Sequence, residues 1–313
     1  MTNYTYIQYI DDVINDKVPT SRLVKLAVQR HLSDFEIGHE RGLHFDEKAA
    51  NHVIDYISNL NHYAGQLYGS KIKLEPWQQF VLAVIFGWKR SDGLRRFRTA
   101  HLSLPLKNGK TTLSLAIALY LMLVDQEAKA EIYFIASTKQ WASLLLDKLV
   151  SMRNRPKFLK RIGNNITDTW TSGKLIPLGP KVRPASLDGV NPHGVIVDVP
   201  YGYDLNRLLD QLKSGMCARK QPLLFTSNTC QENDGYTEKV LDGTVKDDSY
   251  FGIIYNLDDE DDYLAESNWV KANPNLGVSV QKPHLRDMIK DKDLSQANHL
   301  RKLFKAKHLN IRN

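Results

Sequence analysis

The sequence predicts an α/β protein built on a doubly wound, mostly parallel sheet, with a helical region before it and a helical linker after it. Three observations carry that reading. The runs "EIYFIAS" (131–137), "GVIVDV" (194–199) and "PLLFTSNT" (222–229) are continuously apolar, the pattern of parallel strands buried on both faces. Helical stretches alternate with them, as in layered α/β domains whose ligands sit at the carboxyl ends of the strands. A further strand, "RFRTAHLSL" (96–104), passes through a Gly-Lys-Thr turn into a long apolar helical stretch.

Taken in order, residues 4–68 read as helical. "SRLVKLAVQRHLSDFE" starts with Ser21 as its N-cap and repeats apolar residues at helical spacing. "FDEKAANHVIDYISNLNHY" places Phe45, Ala49, Val53, Ile54 and Ile57 on one helical face. "WQQFVLAVIFGW" is a third helix, ending at Gly87. The strand at 96–104 follows, then the helix "TTLSLAIALYLMLV", the strand at 131–137 and the helix "KQWASLLLDKLVSM". After about residue 256 the chain turns acidic and turn-rich, then charged and helical with spaced leucines. The expected division is a helical region at 1–70, a core at 71–255 and a linker at 256–313.

A net charge of +7 favours an acidic partner, nucleic acid first. Cys217 and Cys230 form neither a CxxC pair nor a metal-ligand cluster, so free thiols in a reducing compartment are expected. "MTNYTYIQYIDDVIND" lacks the basic start and apolar run of a secretion signal, and "LAIALYLMLV" (115–124) falls short of a membrane span. A cytoplasmic protein without membrane contact is expected.

The stretch "LPLKNGKTTL" (104–113) carries the chemistry. Lys107, Asn108, Gly109, Lys110, Thr111 and Thr112 stand between a strand and a helix start, where backbone N–H groups can face phosphates. Lys110 is placed to reach the outer phosphates, and the Thr111 hydroxyl to help hold magnesium. Leu104 stands where a glycine usually opens such a loop. A second acidic ligand is then required, and Asp198 closes the apolar run "VIVDV" as the candidate magnesium contact, with a helix cap or turn as its other reading. The following residue, commonly a glutamate that polarises the attacking water, is Val199. The fold class is thus of the phosphate-loop NTPase type, with a nucleotide and Mg2+ as expected ligands.

The blocks "LEPWQQFVLAVIFGW", "GLRRFRTAHLSLPLKNGKTTL", "SLDGVNPHGVIVD", "LKSGMCARKQPLLF", "WVKANPNLGVSV" and "FKAKHLNI" resemble, in matching order, the large terminase subunits of tailed double-stranded DNA bacteriophages. The match runs from about residue 74 to the end of the sequence. It implies an ATP-driven motor that packages phage DNA through a portal, with an N-terminal ATPase followed by a metal-dependent nuclease. It also implies double-stranded DNA, a small terminase subunit, portal and procapsid as partners, a homo-oligomeric ring, and the bacterial host cytoplasm. By the same resemblance Trp77 and Gln78 sit near the adenine, Gln78 reading the base edge. Asn228 and Thr229 align with the segment that couples hydrolysis to movement. Arg219 is the candidate for a neighbouring subunit's site or for DNA, with a surface arginine as the equal alternative.

The sequence also departs from the family pattern. Leu106 stands where the loop arginine belongs, and Val199 where the strand-ending glutamate belongs. Both losses remove charge used in the transition state, so nucleotide binding with impaired hydrolysis is expected, each loss costing about 10² to 10⁴ in rate. The segment "FKAKHLNIRN" resembles the stretch just before the nuclease, so the nuclease domain and its activity are expected to be absent. The acidic run Asp258, Asp259, Glu260, Asp261, Asp262 reads as a solvated loop, because consecutive carboxylates cannot all face one ion. The basic stretch "KRSDGLRRFR" (89–98) reads equally as a phosphate contact or a solvated turn. The alternatives are a non-catalytic remnant that binds nucleotide or DNA, and a helicase-like translocase, for whose second motor domain the residues after Asn256 are too few.

Overall fold

The structure, a computed structural model, describes residues 5–153, 159–199, 203–229, 233–289 and 294–311. Its N-terminal layer is formed by α1 (Tyr6–Ile14), α2 (Arg22–Ile37), α3 (Glu47–Ser58) and α4 (Pro76–Gly87). The layer is not wholly helical: β1 (Leu43–Phe45) pairs antiparallel with β2 (Trp88–Arg90) as a separate two-stranded sheet. Ser21 occupies the N-cap of α2, but its hydroxyl donates to the Ile254 carbonyl instead of capping the helix. Helix α4 begins with Pro76 at its first position, where the missing N–H has no helical partner to lose. Apolar nearly all round, α4 is correspondingly buried nearly all round.

The central sheet runs in the order β10-β3-β9-β8-β4-β7-β6-β5. Six strands are parallel: β10 (Tyr250–Ile254), β3 (Thr99–Ser103), β9 (Leu223–Asn228), β8 (Pro192–Asp198), β4 (Glu131–Ala136) and β7 (Lys174–Leu178). The far edge turns antiparallel through β6 (Asn165–Asp168) and β5 (Leu159–Ile162). Helix α5 (Lys110–Leu123) is apolar on every side and packs between the sheet and the N-terminal layer. Together with α6 (Lys139–Ser151) it covers one sheet face, and α7 (Asn206–Met216) covers the other. Alternation along β8 separates the faces: Val195, Val197 and Val199 join the α7 cluster, while Ile196 joins the larger core. Because β9 and β8 follow β3 in the sheet, the carboxyl ends of these three strands lie side by side, which is what positions the site.

Helix α8 (Asn233–Leu241) leads into the edge strand β10. Beyond it, α9 (Trp269–Ala272), α10 (Lys282–Ile289) and α11 (Leu294–Leu309) gather a small apolar core of their own around Trp269, Leu285 and Phe304. Cys217 is a free thiol, and Cys230 lies outside the described residues. Among the described residues, no helix is long and apolar enough to cross a membrane.

In the basic stretch at 89–98, residues 91–93 are an exposed turn beside the Arg90–Asp92 pair, but Arg95 and Arg96 fit neither expected reading. Arg95 and Arg96 are each 1% exposed. The Arg95 guanidinium is bidentate on Asp125, at 3.1 and 2.9 Å, and lies over the Phe86 ring. Arg96 donates to Asp34 at 2.6 Å and lies over Phe97. Both are internal ties whose acidic partners lie far away in sequence. In the acidic run, Asp258 and Asp261 hold Lys271, and Asp258 also accepts the Arg22 N–H, while Asp259, Glu260 and Asp262 are exposed. Among the described residues, no cluster of three or more His, Cys, Asp or Glu has the arrangement to hold a metal.

Candidate functional site

The loop between β3 and α5 starts as an extension of the sheet. The Leu104 N–H donates to the Asn228 carbonyl at 3.1 Å, and the Thr229 hydroxyl donates to the Leu104 carbonyl at 2.9 Å. Leu104 is fully buried and is not among the positive-φ residues, so no glycine is needed there. The left-handed positions come later, at Lys107 (φ 69°) and Gly109 (φ 84°). Gly109 is also tightly enclosed, since a Cβ there would lie 3.3 Å from Gln78 Nε2. The first helical hydrogen bond runs from Leu113 N–H to the Gly109 carbonyl, which leaves the N–H groups of Lys110, Thr111 and Thr112 as first-turn donors without an intrahelical acceptor.

Lys110 folds back over the loop and donates to the carbonyls of Leu104 and Pro105 at 2.7 and 2.6 Å. Burial lowers its ammonium to a pKa of about 7, against the opposing pull of Asp198. Thr111, the next residue along the helix, lies beside β8, where its hydroxyl helps hold the Asp198 carboxylate in its charged form. Burial raises the Asp198 carboxyl above its ordinary range, and Thr111, Lys110 and Ser227 each pull it back. Ser227 is also 2.9 Å from the Ser114 hydroxyl of α5. These oxygens make a hard-donor set that suits magnesium, with Asp198 as the charged member and Thr111 as the hydroxyl.

Burial raises the Tyr63 hydroxyl above its ordinary range, with Thr112 beside it opposing the shift and the Asp198 charge adding to it. Gln78 is 8% exposed, and its Oε1 accepts the Glu75 N–H at 2.9 Å, so its amide nitrogen is the part presented to the loop. Trp77 is buried, donates through Nε1 to Asn275 Oδ1 at 2.7 Å and meets Tyr255 edge-on. An apolar cavity of about 160 Å³ lies beside it, lined by Tyr9, Val18, Pro76, Trp77, Tyr255 and Pro274.

The structure therefore gathers Gln78, Lys107, Asn108, Gly109, Lys110, Thr111, Thr112 and Asp198 around one loop, with Trp77 behind it. Asn228 is 2% exposed with its amide oxygen unpartnered. The strand residue whose side chain reaches Asp198 is instead its neighbour Ser227, on the opposite face of β9. Arg219 is not brought to the loop. It donates to the carbonyls of Asn191, Ala128 and Lys129 and pairs with Glu127 at 3.0 Å, all at the amino ends of β8 and β4. Leu106 is half-buried, and Val199 is 4% exposed within the apolar α7 cluster. Sequence reasoning missed Tyr63, Ser227 and a group of C-terminal asparagines. Asn108 is fully buried: its Nδ2 donates to Asn273 Oδ1 at 2.9 Å, and its Oδ1 accepts the Asn275 N–H at 3.1 Å.

Comparison with known proteins places this geometry. Residues 76–242, just over half of the chain, match the family described as terminase large subunit, ATPase domain. Residues 244–313 match the terminase large subunit, endonuclease domain. That second match overturns the expectation that the nuclease domain is absent. The resemblance of "FKAKHLNIRN" to a pre-nuclease segment misled because residues from 244 onward, including the edge strand β10, already fall within the endonuclease family match. Protein YmfN of Escherichia coli (strain K12) is 35% identical over 132 residues, covering 40% of this chain and 29% of that protein. The crystal structure of the HK97 bacteriophage large terminase superposes with a TM-score of 0.66 at 19% identity, covering 84% of this chain and 55% of that one. The chain thus spans little more than half the length of that terminase, with which it shares the fold.

Proposed function

The chain belongs to the terminase large subunit family, and from that premise we propose that it forms the ATP-driven motor portion of a bacteriophage DNA-packaging machine. In this reading residues 71–255 are the ATPase core, its sheet completed by β10 from the start of the endonuclease match, with 1–70 as a mainly helical N-terminal region. The observation that carries it is the approach of the Thr111 hydroxyl to the Asp198 carboxylate, in the same first turn of α5 as Lys110 and the free N–H groups. That arrangement provides amide donors and an ammonium for phosphate oxygens. Asp198 and Thr111 are the residues that would hold magnesium, which supplies positive charge to the phosphates. Gln78 and the apolar cavity beside Trp77 support a base bound on the α4 side.

Hydrolysis is the weak part of the site. Val199 cannot accept a proton from water, and it packs within an apolar cluster. Leu106 offers no charge for the developing negative charge at the phosphate. The chain on this reading holds MgATP and turns it over poorly. Asn228 and Thr229, at the end of β9 and bound to the loop through Leu104, are suited to relay a change in the loop to the sheet. Double-stranded DNA, a small subunit, portal, procapsid and a homo-oligomeric ring in the host cytoplasm are the partners and setting this function requires.

Titration of the chain with a fluescent ATP analogue and Mg2+, beside Lys110→Ala, tests the reading. Saturable binding that the variant loses by at least about tenfold supports it. Equal binding by both proteins would remove the loop from the function.

A further inference from the structure

The phosphate-binding loop is held from behind by the C-terminal region. Asn273 accepts from Asn108 through Oδ1, while its Nδ2 donates to the His308 carbonyl at 2.8 Å. Asn275 accepts from Trp77 through Oδ1, and its backbone N–H donates to Asn108 Oδ1. The Ser279 hydroxyl donates to the Lys107 carbonyl at 2.6 Å. The Leu106 N–H donates to the Lys307 carbonyl at 2.9 Å, so the last turn of α11 satisfies its free carbonyls on the loop and on Asn273. Asn310 takes a left-handed conformation just after α11 and donates to the Ser103 hydroxyl at the end of β3.

These bonds take up the inner side of the loop: the Leu106 N–H, the Lys107 carbonyl and the whole Asn108 side chain. The first-turn N–H groups of α5 are not among the groups so engaged. Lys107 is a non-glycine residue at positive φ, a conformation that costs free energy and persists only where its surroundings impose it. The imposing groups here belong to residues with a separate apolar core, joined to the loop by hydrogen bonds. We propose that Asn273, Asn275 and Ser279 are positioning residues of the nucleotide loop, and that the loop adopts its anion-binding shape only while the C-terminal region is docked on it. By linkage, nucleotide binding and docking then strengthen each other by the same factor. The proposal rests on the nucleotide-binding reading above and adds to it that the site is completed from outside the ATPase family match, by residues that fall within the endonuclease match.

The test uses the full chain, a fluorescent ATP analogue with Mg2+, and hydrogen exchange. Asn275→Ala and Asn273→Ala are expected to weaken nucleotide binding by about tenfold, because each leaves a buried partner unsatisfied. Amides of 106–112 should exchange faster in both variants, with those of β4 and β8 unchanged. Ser279 is exposed, so Ser279→Ala should fold normally and shift both readouts in the same direction by about threefold. In the wild type, the nucleotide should slow exchange in 273–280 and 305–311. Unchanged affinity and unchanged exchange at 106–112 in folded variants would overturn the proposal. A wild-type chain that binds no nucleotide would overturn the functional reading instead, and exchange at 106–112 would still decide the docking claim.

Discussion

Lys110 Nζ lies 2.7 Å from the Leu104 carbonyl, so the ammonium is bound to its own loop from within. Burial has brought its pKa down to about 7, with Asp198 opposing the shift. Phosphate oxygens at the loop would favour the charged form and raise that pKa in the complex. The lysine in the free protein loses its proton as pH rises through about 7, whereas the complex keeps it. Nucleotide affinity should therefore fall as pH rises above 7, by up to about tenfold per unit, with proton uptake on binding. Calorimetry in two buffers of different ionisation enthalpy measures that uptake. A pH-independent affinity between 7 and 9 would count against this placement of Lys110.

Asp198 is the charged partner of Thr111, and Mg2+ should tighten nucleotide binding through it. Asp198→Asn is expected to abolish the Mg2+ dependence while leaving metal-free binding largely intact. Because burial raises the Asp198 carboxyl, the Mg2+ contribution should also fade on acidification before it would at an exposed aspartate. Titrations with Mg2+ and with EDTA, repeated at two pH values, check both statements.

The Arg95–Asp125 pair is structural. Burial would raise the Asp125 carboxyl, but Arg95 and His193 more than offset it and hold the group below its ordinary range. Arg95→Ala leaves that carboxylate buried without its guanidinium and should cost about 3–5 kcal/mol in chemical denaturation. If Arg95 met DNA phosphates instead, its loss would mainly flatten the salt dependence of DNA binding.

Val199→Glu places a carboxylate among Val197, Leu205 and Leu208. It should lower stability by about 3 kcal/mol or more. Leu106→Arg, at a half-buried loop position, should fold normally and raise single-turnover hydrolysis by about tenfold or more. Denaturation curves and quenched-flow assays on the two variants separate these effects.

The parts of the fold that the sequence revealed are those with a local signature. Strands β4, β8 and β9 are apolar on both faces and α5 is apolar all round, so each announces its burial. Strand β5 reads Leu-Lys-Arg-Ile with only Leu159 buried, so it shows no distinctive pattern, whereas β10 reads Tyr-Phe-Gly-Ile-Ile and is buried throughout, an apolar signature as plain as that of the other parallel strands. The loop and Asp198 were legible because strand ends and helix starts create them locally. Ser227 was overlooked beside the more familiar Asn228, although strand alternation could have pointed to it. Asn273 and Asn275 read as turn residues, since their partners are 165 and 167 positions away. Arg95 and Arg96 looked like a surface patch because charge alone does not show where their acidic partners lie.

On the proposed reading this site binds MgATP and hydrolyses it poorly. Single-turnover hydrolysis of labelled ATP, at protein concentrations shown to saturate binding, tests it most directly. The predicted result is Lys110-dependent binding with a hydrolysis rate within about tenfold of the Lys110→Ala control. Robust Lys110-dependent turnover by the wild-type chain would contradict the account and require a general base other than residue 199.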